Sequence, residues 1–188
     1  MSETLLPRIS RDRLDPKWHL AWDTLNSLTG TPQFVEVFAA APEMLDFVMN
    51  KFYGPVFFGG KVGQRYKQLA RLKLSLVHGC RTCNKQNIPG ALEAGFSQAQ
   101  IDSLSAGGNE GFDAAERAVI DYAQEVALTN MDGNMSRDLY QRLRKHFSDE
   151  QILELGTTMA IISGMAKLSF VLNVVEKENY CRFATAAA

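Results

Sequence analysis

Signals that start and stop helices recur along this chain and restrict it to one kind of secondary structure. Serine or aspartate is followed three residues later by glutamine or glutamate at Ser97–Gln100, Asp113–Glu116 and Ser148–Gln151. At this spacing each pair can cap two backbone N–H groups at the start of a helix. No segment shows the sustained alternation of apolar and polar residues that a half-buried strand requires. The sequence therefore predicts an all-α protein, with residues 1–188 forming a single domain of about eight helices.

The residues with the most distinctive chemistry lie between two of these helices. Residues 64–78 carry apolar side chains at helical spacing, and Gly79 follows as a plausible C-terminal cap. Cys80 and Cys83 then open the next helix. Pro89 lies inside that helix, where proline removes a backbone hydrogen bond. We expect the cysteine-bearing helix to be short, with a new segment starting at Pro89.

The Cys-Arg-Thr-Cys spacing of Cys80 and Cys83 can close a small disulfide ring and open it again. A thiol reacts as its thiolate, and a free cysteine has a pKa of about 8.5, which the N–H groups at a helix start can lower. A zinc site needs two further ligands, and the three histidines are scattered, so no metal is predicted. Burial of both cysteines as inert core residues remains open. Cys181 is expected to be a bystander unless the C-terminal tail, which looks frayed, folds back over the pair.

Composition and charge exclude several classes of partner. The formal net charge is −1 and there is no run of Lys or Arg, so we expect no nucleic acid and no anionic membrane surface as partner. The apolar stretch 152–175 contains Glu154 and Lys167 and predicts a buried helix rather than a membrane span. The N-terminus lacks the apolar core of a signal peptide, and an odd number of cysteines is unlike a secreted disulfide framework. These features predict a cytoplasmic protein.

Residues 66–83, continued by residues 91–97, resemble the AhpD-like alkylhydroperoxidases of the carboxymuconolactone decarboxylase family. The shared pattern is a helix ending in a polar residue and glycine, then Cys-x-x-Cys, then an Ala-rich helix; the core of the resemblance spans residues 31–110. The resemblance implies an all-α homo-oligomer without a cofactor, in which Cys80 and Cys83 are catalytic. It also implies a small peroxide or disulfide as substrate and a dithiol protein as reductant.

The chain departs from that family at the positions that usually move protons. Gln68 replaces a glutamate twelve residues before Cys80, Thr82 replaces a histidine between the cysteines, and Asn87 replaces a histidine after them. None of the three titrates near pH 7. We expect Gln68 and Asn87 to hydrogen-bond to each other or to a water. His78, two residues before Cys80, is the candidate substitute for the missing base.

Three functions follow from these observations. The first is a thiol-dependent peroxidase or disulfide oxidoreductase that uses the cysteine pair, with activity weakened or altered by the replaced residues. The second is a ligand-binding or redox-sensing oligomer that keeps the fold without catalysis. Lactone decarboxylation ranks last, because family members with that activity generally lack the cysteine pair.

Overall fold

The computed structural model describes residues 4–183 and shows an all-α fold with nine α-helices in that range. Two short 3₁₀ turns precede the first helix, and a π-helix, Phe47–Phe58, follows the third. The α-helices are α1 (His19–Thr29), α2 (Gln33–Phe38), α3 (Pro42–Asp46), α4 (Gln64–His78), α5 (Arg81–Glu93), α6 (Gln98–Ser105), α7 (Ala114–Val126), α8 (Arg137–Arg144) and α9 (Asp149–Val171). None of the helices in the described range is long and apolar enough to cross a membrane.

The predicted capping signals start the helices as expected. Reciprocal capping boxes are formed at Ser97–Gln100, Asp113–Glu116 and Ser148–Gln151, which begin α6, α7 and α9. Helix α4 has its predicted bounds, and Gly79 ends it with a φ of +67°, a conformation that L side chains rarely adopt. Helix α9 stops at Val171, short of the predicted Val175, because Asn173 adopts a left-handed conformation.

The predicted break at Pro89 is wrong, since α5 runs without interruption from Arg81 to Glu93. An interior proline costs a helix roughly 3 kcal/mol. Here the helix packs against α4 along its length, and Ala91, two residues past the proline, is fully buried. Tertiary packing therefore outweighs the local penalty.

Helix α4 lies at the centre of the molecule. It contacts α5, α7 and α9, and its residues Leu69, Leu72 and Leu74 pack with Val119 of α7 and Leu155 of α9 in the main core. A second apolar cluster joins the N-terminal turns to α1, α2, α3 and the π-helix. The cysteine pair follows α4 directly, so the most central helix of the fold determines where the sulfur atoms lie.

A fully buried ammonium group fastens the end of the π-helix to the core. Lys67 Nζ donates to the carbonyl oxygens of Val56 and Gly59 at 2.6 and 2.5 Å. It also pairs with Glu154 of α9 at 2.6 Å, and the Glu154 side chain is only 17% exposed. Because removal of one partner leaves a buried charge without its counterion, we expect this pair to matter for stability.

Candidate redox site

Cys80 and Cys83 form a disulfide at the start of α5. Cys80 is the N-cap residue, and its Sγ accepts a hydrogen bond from the Cys83 N–H at 3.2 Å. The two sulfur atoms differ in accessibility, since Cys80 is fully buried whereas Cys83 is half-buried and lines a cavity. A molecule in the cavity can therefore reach Cys83 but not Cys80.

Residues 172–183, called the C-terminal strap here, cover the cysteine pair. The Glu176 carbonyl oxygen accepts from the Arg81 N–H at 2.9 Å, and the Glu178 N–H donates to the Gly79 carbonyl oxygen at 2.8 Å. Two ion pairs, Arg81–Glu178 and Lys85–Glu176, both 3.1 Å long, hold the same segment. The backbone N–H groups of Arg81 and Thr82 at the start of α5 thus donate to the strap, although they were expected to face the sulfur atoms.

The Cys83 N–H remains directed at sulfur and makes Cys80 a better leaving group. When a thiol attacks the Cys83 sulfur, the bond to Cys80 breaks and Cys80 leaves as a thiolate. That thiolate keeps its backbone donor at the positive end of α5.

Cys181 is drawn into the structure rather than left in a frayed tail. It is 6% exposed, and its thiol donates to the His78 carbonyl oxygen at 3.0 Å. It belongs to the same apolar cluster as Cys80. A side chain at Gly79 would put its Cβ 2.8 Å from the Cys181 Cα, so glycine is required for this approach. The last five residues, 184–188, lie outside the described range.

His78 is in the wrong environment to replace the missing base. It is 1% exposed, its Nε2 accepts the Leu128 N–H at 3.1 Å, and its Nδ1 is buried without a partner. Burial lowers its pKa to about 4, so the ring is neutral at pH 7. The described contacts of its ring run to Leu128 and Phe183 rather than to Cys80 or Cys83.

The low pKa of His78 predicts that the protein loses stability in mild acid. Between the unfolded pKa of about 6.5 and the folded pKa, the unfolded chain binds the extra proton. The neutral His78 ring therefore contributes fully to the free energy of unfolding above pH 6.5. This contribution is lost as the pH falls to about 4, which lowers the free energy of unfolding by roughly 3 kcal/mol. His78→Gln keeps an acceptor for the Leu128 N–H. We expect it to remove most of the pH dependence of the free energy of unfolding between pH 6.5 and about 4, measured by urea unfolding. His146→Gln, at the surface, is the matched control, and an equal change in both variants contradicts the assignment.

The three replaced relay positions have separate surroundings. Thr82 Oγ1 accepts the Glu176 N–H at 2.8 Å and so anchors the strap. Asn87 Nδ2 donates to the Arg71 carbonyl oxygen at 3.3 Å, while Gln68 packs against Gly90. No hydrogen bond joins Gln68 to Asn87 among residues 4–183, and the carbonyl oxygens of both side chains are buried without a donor. The expected direct Gln68–Asn87 bond is therefore absent from the described structure.

The cavity in front of Cys83 has a volume of about 480 Å³ and a mainly apolar wall. It lies between α1, α2, the π-helix, α4, α5, α9 and the strap. Aromatic side chains contribute much of the wall: Trp18, Phe34, Phe52, Tyr53 and Phe58. Polar side chains also line the cavity, among them Arg71, Ser75, Thr82, Gln86 and Asn87. This combination suits an apolar organic molecule with a small number of polar atoms.

Arg71 is a functional candidate that the sequence reasoning missed. It projects from α4 into the cavity wall and is only 7% exposed. Its guanidinium carbon lies 5.3 Å from the ring centres of both Tyr53 and Phe57. The signal was present in the sequence, because Arg71 interrupts the apolar residues of α4 three residues after Gln68 and four before Ser75. At that spacing the three side chains share one helix face.

One family model matches the central part of the chain. Residues 42–125, which include α4, both cysteines and most of α7, match the model of the carboxymuconolactone decarboxylase family. Through this segment the chain is similar to the carboxymuconolactone decarboxylase family. The all-α fold predicted from the sequence is confirmed, and AhpD-like solved structures share it.

One curated relative and several solved structures are similar to this chain at low sequence identity. The uncharacterised protein YdfG of Bacillus subtilis is 21% identical over 143 residues, which cover 74% of this chain and 94% of YdfG. A protein of unknown function from Agrobacterium tumefaciens, provisionally described as the antioxidant defence protein AhpD, is 23% identical with a TM-score of 0.64. That match covers 72% of this chain and 92% of the other.

A second solved structure extends the likeness over nearly the whole chain. It is the debrominase Bmp8, solved as a cysteine-to-alanine variant with 2,3,4-tribromopyrrole. The match has a TM-score of 0.72 at 14% identity and covers 96% of this chain and 95% of Bmp8. At these identities the structural matches establish the fold of the chain and leave its chemistry to be argued from its own residues.

Proposed function

We propose that this protein is a thiol-dependent reductase of organic hydroperoxides that uses Cys83 as the attacking sulfur and Cys80 as the resolving sulfur. The observation that carries the proposal is the unequal exposure of a bonded pair, with Cys83 on a cavity wall and Cys80 sealed behind it. An attacking thiol must meet its substrate, whereas a resolving thiol needs only to reach the first sulfur.

The reaction balances within the pair. The Cys83 thiolate attacks the terminal oxygen of the hydroperoxide, so an S–O bond forms, the O–O bond breaks, and the alkoxide leaves and takes a proton to become an alcohol. Cys80 then attacks the Cys83 sulfenic acid, forming the disulfide and releasing water. The pair supplies both electrons. A dithiol reductant returns them by attacking Cys83 through a mixed disulfide and expelling Cys80.

The rate is expected to be lower than that of an enzyme with a working proton relay. Loss of general acid–base help costs roughly 10²- to 10⁴-fold. The described cavity wall contains the cations Arg71 and Lys17 and no carboxylate, which favours the thiolate form of Cys83. Cysteine is also the nucleophile that depends least on a base.

A steady-state assay tests this function. Cumene hydroperoxide is supplied in tenfold excess over reduced protein, with dithiothreitol as the dithiol, and hydroperoxide consumption is followed. The proposal expects several turnovers per protein, at an unchanged rate in Cys181→Ser, because that thiol lies outside the cavity wall. Consumption no faster than with dithiothreitol alone would reject catalysis. It would leave the ligand-binding or redox-sensing oligomer as the better account.

A further inference from the structure

The charged groups of the cavity are all of one sign. The described residues on its wall include Arg71 and Lys17 but no aspartate or glutamate. Lys17 is exposed and lies near Asp15 at 3.6 Å, so its charge is partly balanced and open to water. Arg71 is buried, so its charge acts over a cavity surrounded by apolar side chains. The cavity interior is therefore suited to a negative charge.

Arg71 has no counterion of its own. Within residues 4–183 its guanidinium pairs with no carboxylate. The half-buried arginines there each have a carboxylate within 4 Å: Arg11, Arg65, Arg81 and Arg142. The faces of Tyr53 and Phe57 supply a weak attraction. An arginine nine-tenths buried usually pairs with an anion through its fork of N–H donors. That partner is missing from the protein, and the cavity is where it can enter.

Asn87 adds a second unfilled polar position on the same wall. Its Nδ2 is held by the Arg71 carbonyl oxygen, which leaves Oδ1 facing away from that bond, buried and without a donor. Buried acceptors are rarely left without a donor. A hydroxyl or hydroperoxide O–H of a bound molecule would satisfy it. The wall that carries Cys83 thus also offers the N–H donors of the Arg71 guanidinium and the free Asn87 acceptor.

We propose that the cavity binds an apolar organic molecule carrying one carboxylate, with the carboxylate on the Arg71 guanidinium and the apolar body against the aromatic wall. This substrate class rests on the proposed reductase function. The substrate would be an organic molecule that carries both a hydroperoxide group and a separate carboxylate. Arg71 is then the residue that selects acids over neutral molecules of the same shape.

The test measures binding without any redox chemistry. The oxidised protein, with its disulfide intact, is titrated by calorimetry with 4-isopropylbenzoate and with 4-isopropylbenzamide, which has the same shape without the charge. We expect the acid to bind at least about tenfold more tightly, the size of one charge-assisted hydrogen bond. Arg71→Met should remove the preference, Arg71→Lys should keep part of it, and Arg117→Met, at an exposed arginine on α7, should leave it unchanged.

The titrations can overturn the proposal that Arg71 binds a carboxylate. Equal affinity for acid and amide in the wild type, or no binding of the acid, overturns the proposal. The same holds for a preference that survives Arg71→Met or that falls equally in Arg117→Met. If Arg71→Met does not fold, the wild-type preference and its partial retention in Arg71→Lys carry the decision. Failure of hydroperoxide turnover leaves the binding preference in place, so the two proposals fail separately.

Discussion

Cys83→Ser is expected to abolish hydroperoxide reduction, with a loss of at least about 10³-fold, because a serine hydroxyl is not ionised at neutral pH and cannot reduce peroxide. In this variant the remaining Cys80 is sealed beneath the strap and has no path to the cavity. Sulfenic acid formation, followed by dimedone labelling and mass spectrometry, should be undetectable at residue 80 on the time scale of wild-type oxidation.

Cys80→Ser is the matched control and gives the opposite pattern. Cys83 keeps its place on the cavity wall, so it should be oxidised once by hydroperoxide and remain as a sulfenic acid that dimedone traps. Turnover stops because no resolving thiol follows. If Cys83→Ser were oxidised and Cys80→Ser were inert, the order of attack proposed for the two sulfurs would be wrong.

Glu154→Gln is expected to destabilise the fold by about 3–5 kcal/mol, the cost of leaving one member of a buried ion pair uncompensated. The substitution keeps the shape of the side chain but leaves the fully buried Lys67 ammonium with only carbonyl oxygens as partners. Glu154 also accepts the Lys61 and Val62 N–H groups at 2.8 and 3.2 Å, so the start of α4 loosens with it. Urea unfolding followed by circular dichroism measures the change.

Glu150→Gln provides the comparison on the same helix. Its partner Lys61 lies 2.5 Å away, but the two side chains are 61% and 67% exposed. An exposed pair contributes about 1 kcal/mol or less, since water and salt screen it. Losses of similar size in the two variants would mean that burial does not set the contribution of the Lys67–Glu154 pair.

Local signals were enough to predict where several helices begin and end. Each capping box depends on residues three apart, and the end of α4 at Gly79 depends on one residue, so neighbouring sequence determines them. Pro89 was misread because its local penalty is opposed by packing against α4, a contact between different parts of the chain. Helix starts depend on neighbouring residues, whereas the uninterrupted course of α5 depends on packing against another helix. The starts were therefore predicted better than the course of α5.

The site was only partly visible in the sequence, because its wall comes from distant segments. The Cys-x-x-Cys spacing indicated the pair, but nothing local showed that the strap, about a hundred residues away in the chain, would seal Cys80 and leave Cys83 open. His78 was proposed as a base from its position beside Cys80. Its burial and the Leu128 N–H, fifty residues away, determine its pKa instead.

The most direct test of the account is the rate at which the reduced pair closes on a hydroperoxide. Fully reduced protein is mixed with one equivalent of cumene hydroperoxide, quenched at intervals with an alkylating reagent, and mapped by mass spectrometry. The account predicts loss of two thiols per protein, both in the Cys80–Cys83 peptide, faster than the oxidation of free cysteine under the same conditions and with Cys181 still reduced. Oxidation of the pair at or below the rate of free cysteine would contradict it.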